Sequence, residues 1–158
     1  MTQLAFPWTP GEVEEIGTGI FENWVRQAGF GVAIPNNRTS IVDRVVTGPR
    51  TLDIQIKAAA ADPGFVVHKK YTTGHLNGPV VQVRIGRADG GPDWRDSTEM
   101  VVLDPDLAWA LPEDAGLCFD PSYHDTYRWS RITVWLAHRL ASCTARNPAE
   151  LGKLLKAV

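Results

Sequence analysis

Thr51-Leu52-Asp53-Ile54-Gln55-Ile56-Lys57-Ala58-Ala59 alternates polar and apolar residues with a period of two. Side chains of a strand point to opposite faces in turn. Leu52, Ile54, Ile56 and Ala58 therefore share one face, which can pack on a core. Asp53, Gln55 and Lys57 share the other, and a lysine held beside an aspartate there needs a partner or a task. A dozen residues upstream, Ile41-Val42-Asp43-Arg44-Val45-Val46 reads as a second strand. Gly48-Pro49 supplies the turn between them. Paired as a hairpin, the two strands bring one carboxylate, one amide and one ammonium together. That is the minimum equipment for holding a divalent metal and orienting a water.

Around this hairpin the pattern alternates between helix and strand. Thr9-Pro10-Gly11-Glu12 is a helix start, with Thr9 as cap, proline at the first position and Glu12 completing a capping box. Val13, Ile16, Ile20, Trp24 and Ala28 then recur at helical spacing, and Gly29 ends the helix. Gly17 and Gly19 inside it permit close approach to a strand or mark a break. Strands are expected over 31–35, 41–46, 51–59, 65–71, 79–85 and 100–103, and a short helix over 105–111. A long helix is expected within 122–142, with Trp129, Ile132, Leu136 and Leu140 on one face. A last helix over 148–157 is capped by Asn147. The expectation is one α+β (mixed α/β) domain over 1–158, with a core of 10–111 and C-terminal helices over 122–157.

Composition fits that picture. The 158 residues are 44% hydrophobic and 22% charged, as in soluble globular proteins. No apolar run reaches the ~18 residues of a membrane span, and the N-terminus has neither the basic start nor the apolar stretch of a signal peptide. A cytoplasmic protein with no membrane partner is expected. Cys118 and Cys143, the two cysteines, are not spaced as a metal site and read as reduced, structural thiols. His75, His124 and His138 share no zinc spacing with each other or with cysteine.

Net charge is −2, but it is unevenly spread. Residues 32–87 hold eight basic and three acidic residues, whereas 88–120 hold one basic and nine acidic. The net charge does not advertise a nucleic-acid binder; the hairpin lies in the more basic segment, and the segments are either functional patches or solvated faces that average out in three dimensions. The acidic segment 88–120 is expected to face away from nucleic acid or to contact a basic partner protein. His68-Lys69-Lys70 is either a phosphate contact or a solvated strand edge. Trp24, Trp109, Trp129 and Trp135 fall at core-like helical positions, whereas Trp8 and Trp94 lie in irregular segments and are expected to be exposed.

Several features together resemble the PD-(D/E)XK nuclease superfamily. They are Glu22 on an opening helix, a strand over 31–35, Asp43 on the next strand and Gln55-Ile56-Lys57 on the third. The likeness is greatest to the branch with glutamine before X-Lys, as in Mrr-type restriction enzymes. It covers 10–60 with a continuation to 110. The resemblance implies an αβββαβ restriction-endonuclease-like core with a central mixed sheet flanked by helices. It also implies Mg²⁺-dependent hydrolysis of DNA phosphodiester bonds, with Mn²⁺ as a substitute, in defence or repair. It assigns Asp43, Gln55, Lys57 and Glu22 as catalytic residues. Asp43, Gln55, Glu22 and the main-chain carbonyl of Ile56 would be the metal donors. Lys57 would position the attacking water or steady the transition state. The sequence departs from the family pattern in three places: Val42 replaces a proline before Asp43, Arg44 follows directly, and Gln55 stands where an acid is usual. Asp53 is a further candidate ligand, or pairs with Arg50 or Lys57. A double-strand cut would call for a homodimer. The alternative expectation is an inactive nuclease-like module that binds nucleic acid or a protein partner.

Overall fold

A computed structural model describes residues 8–36, 42–60, 65–68, 77–86, 98–104, 126–129 and 134–158. The first helix, α1 (Pro10–Gln27), begins as its sequence dictates. The Thr9 hydroxyl accepts from the Glu12 N–H, and the Glu12 carboxylate accepts from the Thr9 N–H. Its buried stripe is Val13, Gly17, Phe21 and Val25, one turn apart. Ile16, Ile20 and Trp24 flank that stripe and are only half-buried. Gly29 takes a φ of 91° just past the helix, where a Cβ would be strained. The Phe30 N–H then turns back to the Val25 carbonyl.

Three strands follow: β1 (Gly31–Ala33), β2 (Arg44–Thr47) and β3 (Thr51–Ala60). They form an antiparallel meander, with β2 and β3 joined by the tight turn at 48–50. Next come β4 (Phe65–His68), β5 (Val80–Ile85), β6 (Glu99–Leu103) and β7 (Thr126–Trp129). A short helix α2 (Val134–Leu140), a 3₁₀ turn over Ala141–Cys143, the two-residue β8 (Thr144–Ala145) and α3 (Pro148–Ala157) complete the described chain. The main sheet has the order β1-β2-β3-β5-β6-β8, and β4 pairs separately with β7. The β3–β5 pairing is parallel and all others are antiparallel. The protein is thus an α+β domain with a six-stranded mixed sheet and flanking helices.

The core fills the space between one face of this sheet and helices α1 and α3. Phe21, Val25, Ile54, Ile56, Val83, Ile85, Met100, Leu151 and Leu155 are all essentially inaccessible to solvent. Gly17 is what brings α1 down on the sheet: a Cβ built there would stand 2.4 Å from the Cβ of Ala58. The two alternatives for this glycine resolve in favour of close approach. β5 is buried along its whole length, as a central strand covered on both faces must be.

The expected helix over 122–142 is corrected. Residues 126–129 form β7, registered against β4 with Phe65 opposite Trp129 and His68 opposite Thr126. Thr126, Tyr127 and Trp129 are of strand-favouring types, and pairing with β4 overrides the helical spacing that Trp129 completes. The helix starts only at Val134. Two tryptophans also differ from expectation. Trp8 packs against the core, and Trp135 is 40% exposed, with Arg139 over its ring. The expected helix over 105–111, Trp94, Trp109, Cys118, Lys69, Lys70, His75, His124 and most of the acidic segment lie outside the described residues.

Candidate functional site at the open edge of the third strand

β2 covers only the first part of β3. The register runs from Thr47 opposite Thr51 to Arg44 opposite Ile54. Beyond Ile54, β3 continues for six residues beside β5 alone, among the described residues. On that open side the next residue upstream of β2, Asp43, takes over from the strand. Its N–H donates to the Ile54 carbonyl at 2.8 Å, extending the ladder by one bond. Its carboxylate Oδ2 accepts from the Ile56 N–H, also at 2.8 Å. Both the N–H and the C=O of one strand residue point to the same side, so the Ile56 carbonyl faces the same gap as the Asp43 carboxylate.

The register that pairs Val45 with Asp53 brings Asp43 level with Gln55. Gln55 is 6% exposed, and its Nε2 points at the Ile56 carbonyl at 3.5 Å. Half a turn of the amide would present Oε1 there instead. Lys57, half-buried, follows on the same face and is registered beside Gln82 of β5. Asp43, Gln55, the Ile56 carbonyl and Lys57 are therefore gathered on one short stretch of strand edge. Asp53 is half-buried at the start of the same face, and its N–H donates to the Asn77 carbonyl.

Glu22 comes from the other face. It stands on α1, and its carboxylate meets Arg44 Nε at 2.5 Å and Arg26 Nη1 at 3.5 Å. Arg44 in turn donates from Nη1 to the Asp43 carbonyl at 2.6 Å. A single guanidinium thus spans the gap between Glu22 and the main chain of Asp43. The sequence noted Arg44 but gave it no role. The usable signal was alternation: Arg44 shares its face with Val46 and opposes Ile54, both on the core side, and a cation there needs a counter-charge.

The donors suit a hard cation in kind, since carboxylate, amide and carbonyl oxygens are what magnesium accepts. They are few in charge: of the two carboxylates, Glu22 is held by Arg44 and Arg26, which leaves Asp43. Among the described residues, no group of three or more His, Cys, Asp or Glu side chains is placed to share a metal ion.

The chain matches no family model, no curated protein and no solved structure.

The rest of the second sheet face is largely buried and mixed in character, with Val80, Val101 and Leu103 beside Gln82 and Arg84. Gln82, Arg84 and Thr98 are each under 9% exposed. Arg84 pairs with Glu99, its register partner, at 3.2 Å, and Arg146 reaches the same carboxylate at 3.7 Å. A cleft of about 600 Å³ lies elsewhere, between the end of α1 and the start of α3. It is lined by Gln27, Ala28, Asn147, Gly152, Lys153 and Lys156 among others, and by none of the predicted site residues. Cys143 is buried and donates its thiol to the Leu140 carbonyl. Burial, and then the charge of Asp104, push its pKa up to about 11, as befits a structural thiol and not a nucleophile. No helix among the described residues is long and apolar enough to cross a membrane.

Proposed function

We infer that this protein is a nuclease-like domain that hydrolyses phosphodiester bonds of DNA with Mg²⁺, Mn²⁺ serving as a substitute. The observation that carries the reading is the meeting of the Asp43 carboxylate with the Ile56 N–H at the open edge of β3, between Gln55 and Lys57. An α1-β1-β2-β3 order followed by a strand parallel to β3 is also what a restriction-endonuclease-like core requires. Asp43, the Ile56 carbonyl and the Gln55 amide oxygen would hold the metal, with Glu22 reaching it after release from Arg44. The bound metal would supply Lewis-acid polarisation of the phosphate and a more acidic water. Lys57 places a fixed positive charge beside the phosphoryl oxygens, where charge grows in the transition state. The basic segment 32–87 would draw in the phosphate backbone. A buried, unactivated Cys143 agrees with a reducing compartment, and we assign the protein to the cytoplasm on that ground. Two copies would be needed to cut both strands.

Incubation of supercoiled plasmid with Mg²⁺ or Mn²⁺ tests this reading. The wild type should nick it, and Asp43→Ala and Lys57→Ala should not. Nicking that survives both substitutions refutes the assigned roles.

A second reading is favoured by one observation, the neutralisation of Glu22 by two arginines, in a chain that has Gln55 where an acid is usual. In that reading the fold is kept as a non-cleaving module that binds nucleic acid or a protein partner. Binding of plasmid with no nicking by any metal would select it.

A further inference from the structure

Arg44 is an unusual residue for its position. Its register partner Ile54 is wholly buried, and Val46, on the same face of β2, is too. The guanidinium nevertheless finds two acceptors, the Glu22 carboxylate and the Asp43 main-chain oxygen. Only about a fifth of either charged side chain is exposed, 20% for Arg44 and 22% for Glu22. Poor solvation of this kind strengthens the attraction between them relative to an open surface pair. The guanidinium therefore already occupies a carboxylate and a main-chain oxygen, two groups of the kind a divalent cation would take.

We propose that Arg44 is the resident cation of the open-edge site: it holds Glu22 away from the metal and keeps the centre a weak, single-carboxylate site. This rests on the reading of Asp43, Gln55 and Ile56 as metal donors. Arg44 acts through Glu22 and is a positioning residue, not a catalytic one. Two cations already face Glu22, since Arg26 approaches it from one turn further along α1. Of the two, Arg44 is the one that also binds the Asp43 main chain. Removing it frees Glu22 from the cation that ties it to the Asp43 main chain, and metal affinity in oxygen sites is tuned by the number of charged ligands.

The test is Mn²⁺ binding to the full chain, followed by calorimetry and by water-proton relaxation. Neither readout depends on cleavage. Four proteins are compared: wild type, Arg44→Met, Glu22→Gln and the double variant. Arg44→Met should bind Mn²⁺ more tightly by roughly tenfold, the scale of one added anionic ligand. Glu22→Gln alone should show no gain, and adding it to Arg44→Met should cancel the gain. Should the double variant keep it, the effect is general loss of positive charge and the role assigned to Glu22 is wrong. Should wild type bind Mn²⁺ through Asp43, shown by loss in Asp43→Asn, while Arg44→Met binds equally well, the proposal fails and the metal site stands. Should neither protein bind, the metal reading itself fails and takes the proposal with it. Methionine matches the length and the apolar setting of position 44. Arg44→Gln is the substitute if that variant melts below assay temperature.

Discussion

The two faces of one sheet do different work. The face toward α1 and α3 is apolar almost throughout, with Ile54, Ile56, Val83 and Ile85 closed to solvent. The opposite face of the same strands carries Gln55, Lys57, Gln82 and Arg84. The first face carries the main core, and the second buries Val80, Val101 and Leu103 as well and leads to the gap where β3 outruns β2. The Glu22–Arg44 pair ties α1, on the first face, to the strand edge beside Asp43. The comparison teaches that polar residues on a buried strand face are tolerable when each has a neighbour in register. Arg84 with Glu99 is the clearest case.

Substitutions should separate the two faces. Phe21→Ala on the core face removes a side chain with no solvent exposure. It should cost about 3–5 kcal/mol of stability. Thermal melts should show the loss, while cleavage per folded molecule is retained. On the other face, Lys57→Met should do the reverse. Loss of one transition-state charge should slow nicking by about two to three orders of magnitude, with a melting temperature close to wild type. If Lys57→Met unfolds the chain instead, the division between the faces is wrong.

Gly17→Ala probes the contact between α1 and β3. Alanine favours a helix over glycine by about 1 kcal/mol. Against this, the added methyl would press on the Ala58 Cβ at 2.4 Å, and overpacking of this kind costs about 1–3 kcal/mol. The contact should win, lowering the melting temperature, and Ala58→Gly in the same chain should recover part of the loss. A melting temperature raised by Gly17→Ala alone would show that α1 does not sit this close.

A pH-dependent effect concerns Cys143. A thiol whose native pKa is raised stabilises the fold below its ordinary value, about 8.5. That contribution fades as pH climbs toward its native value of about 11. Wild type should therefore lose more stability between these pH values than Cys143→Ala does. Parallel pH profiles for the two proteins would contradict the burial of this thiol.

Much of this was legible in the sequence because it depended on local rules. The capping box at Thr9, the glycine stop at Gly29 and the Asn147 cap all follow from residues within one turn of each other. Alternation alone sorted β3 into its two faces, and a hairpin of that register sets Asp43 level with Gln55. What escaped depends on distant partners. Thr126 to Trp129 became a strand because β4 lies beside them. The Glu22–Arg44 pair depends on how α1 crosses the sheet, which no local pattern reports. Phe21 is the fully buried residue of α1 there, with Ile20 packed at its flank, for the same reason.

The central claim is that Asp43, Gln55 and Ile56 form one metal-accepting edge. Substoichiometric Mn²⁺ added to ¹⁵N-labelled protein tests it most directly, because the ion broadens nearby amide signals. The amides of Asp43, Gln55 and Ile56 should broaden first, and Asp43→Asn should abolish the effect. Broadening centred elsewhere, or an Ile56 amide left sharp while others fade, would contradict the account.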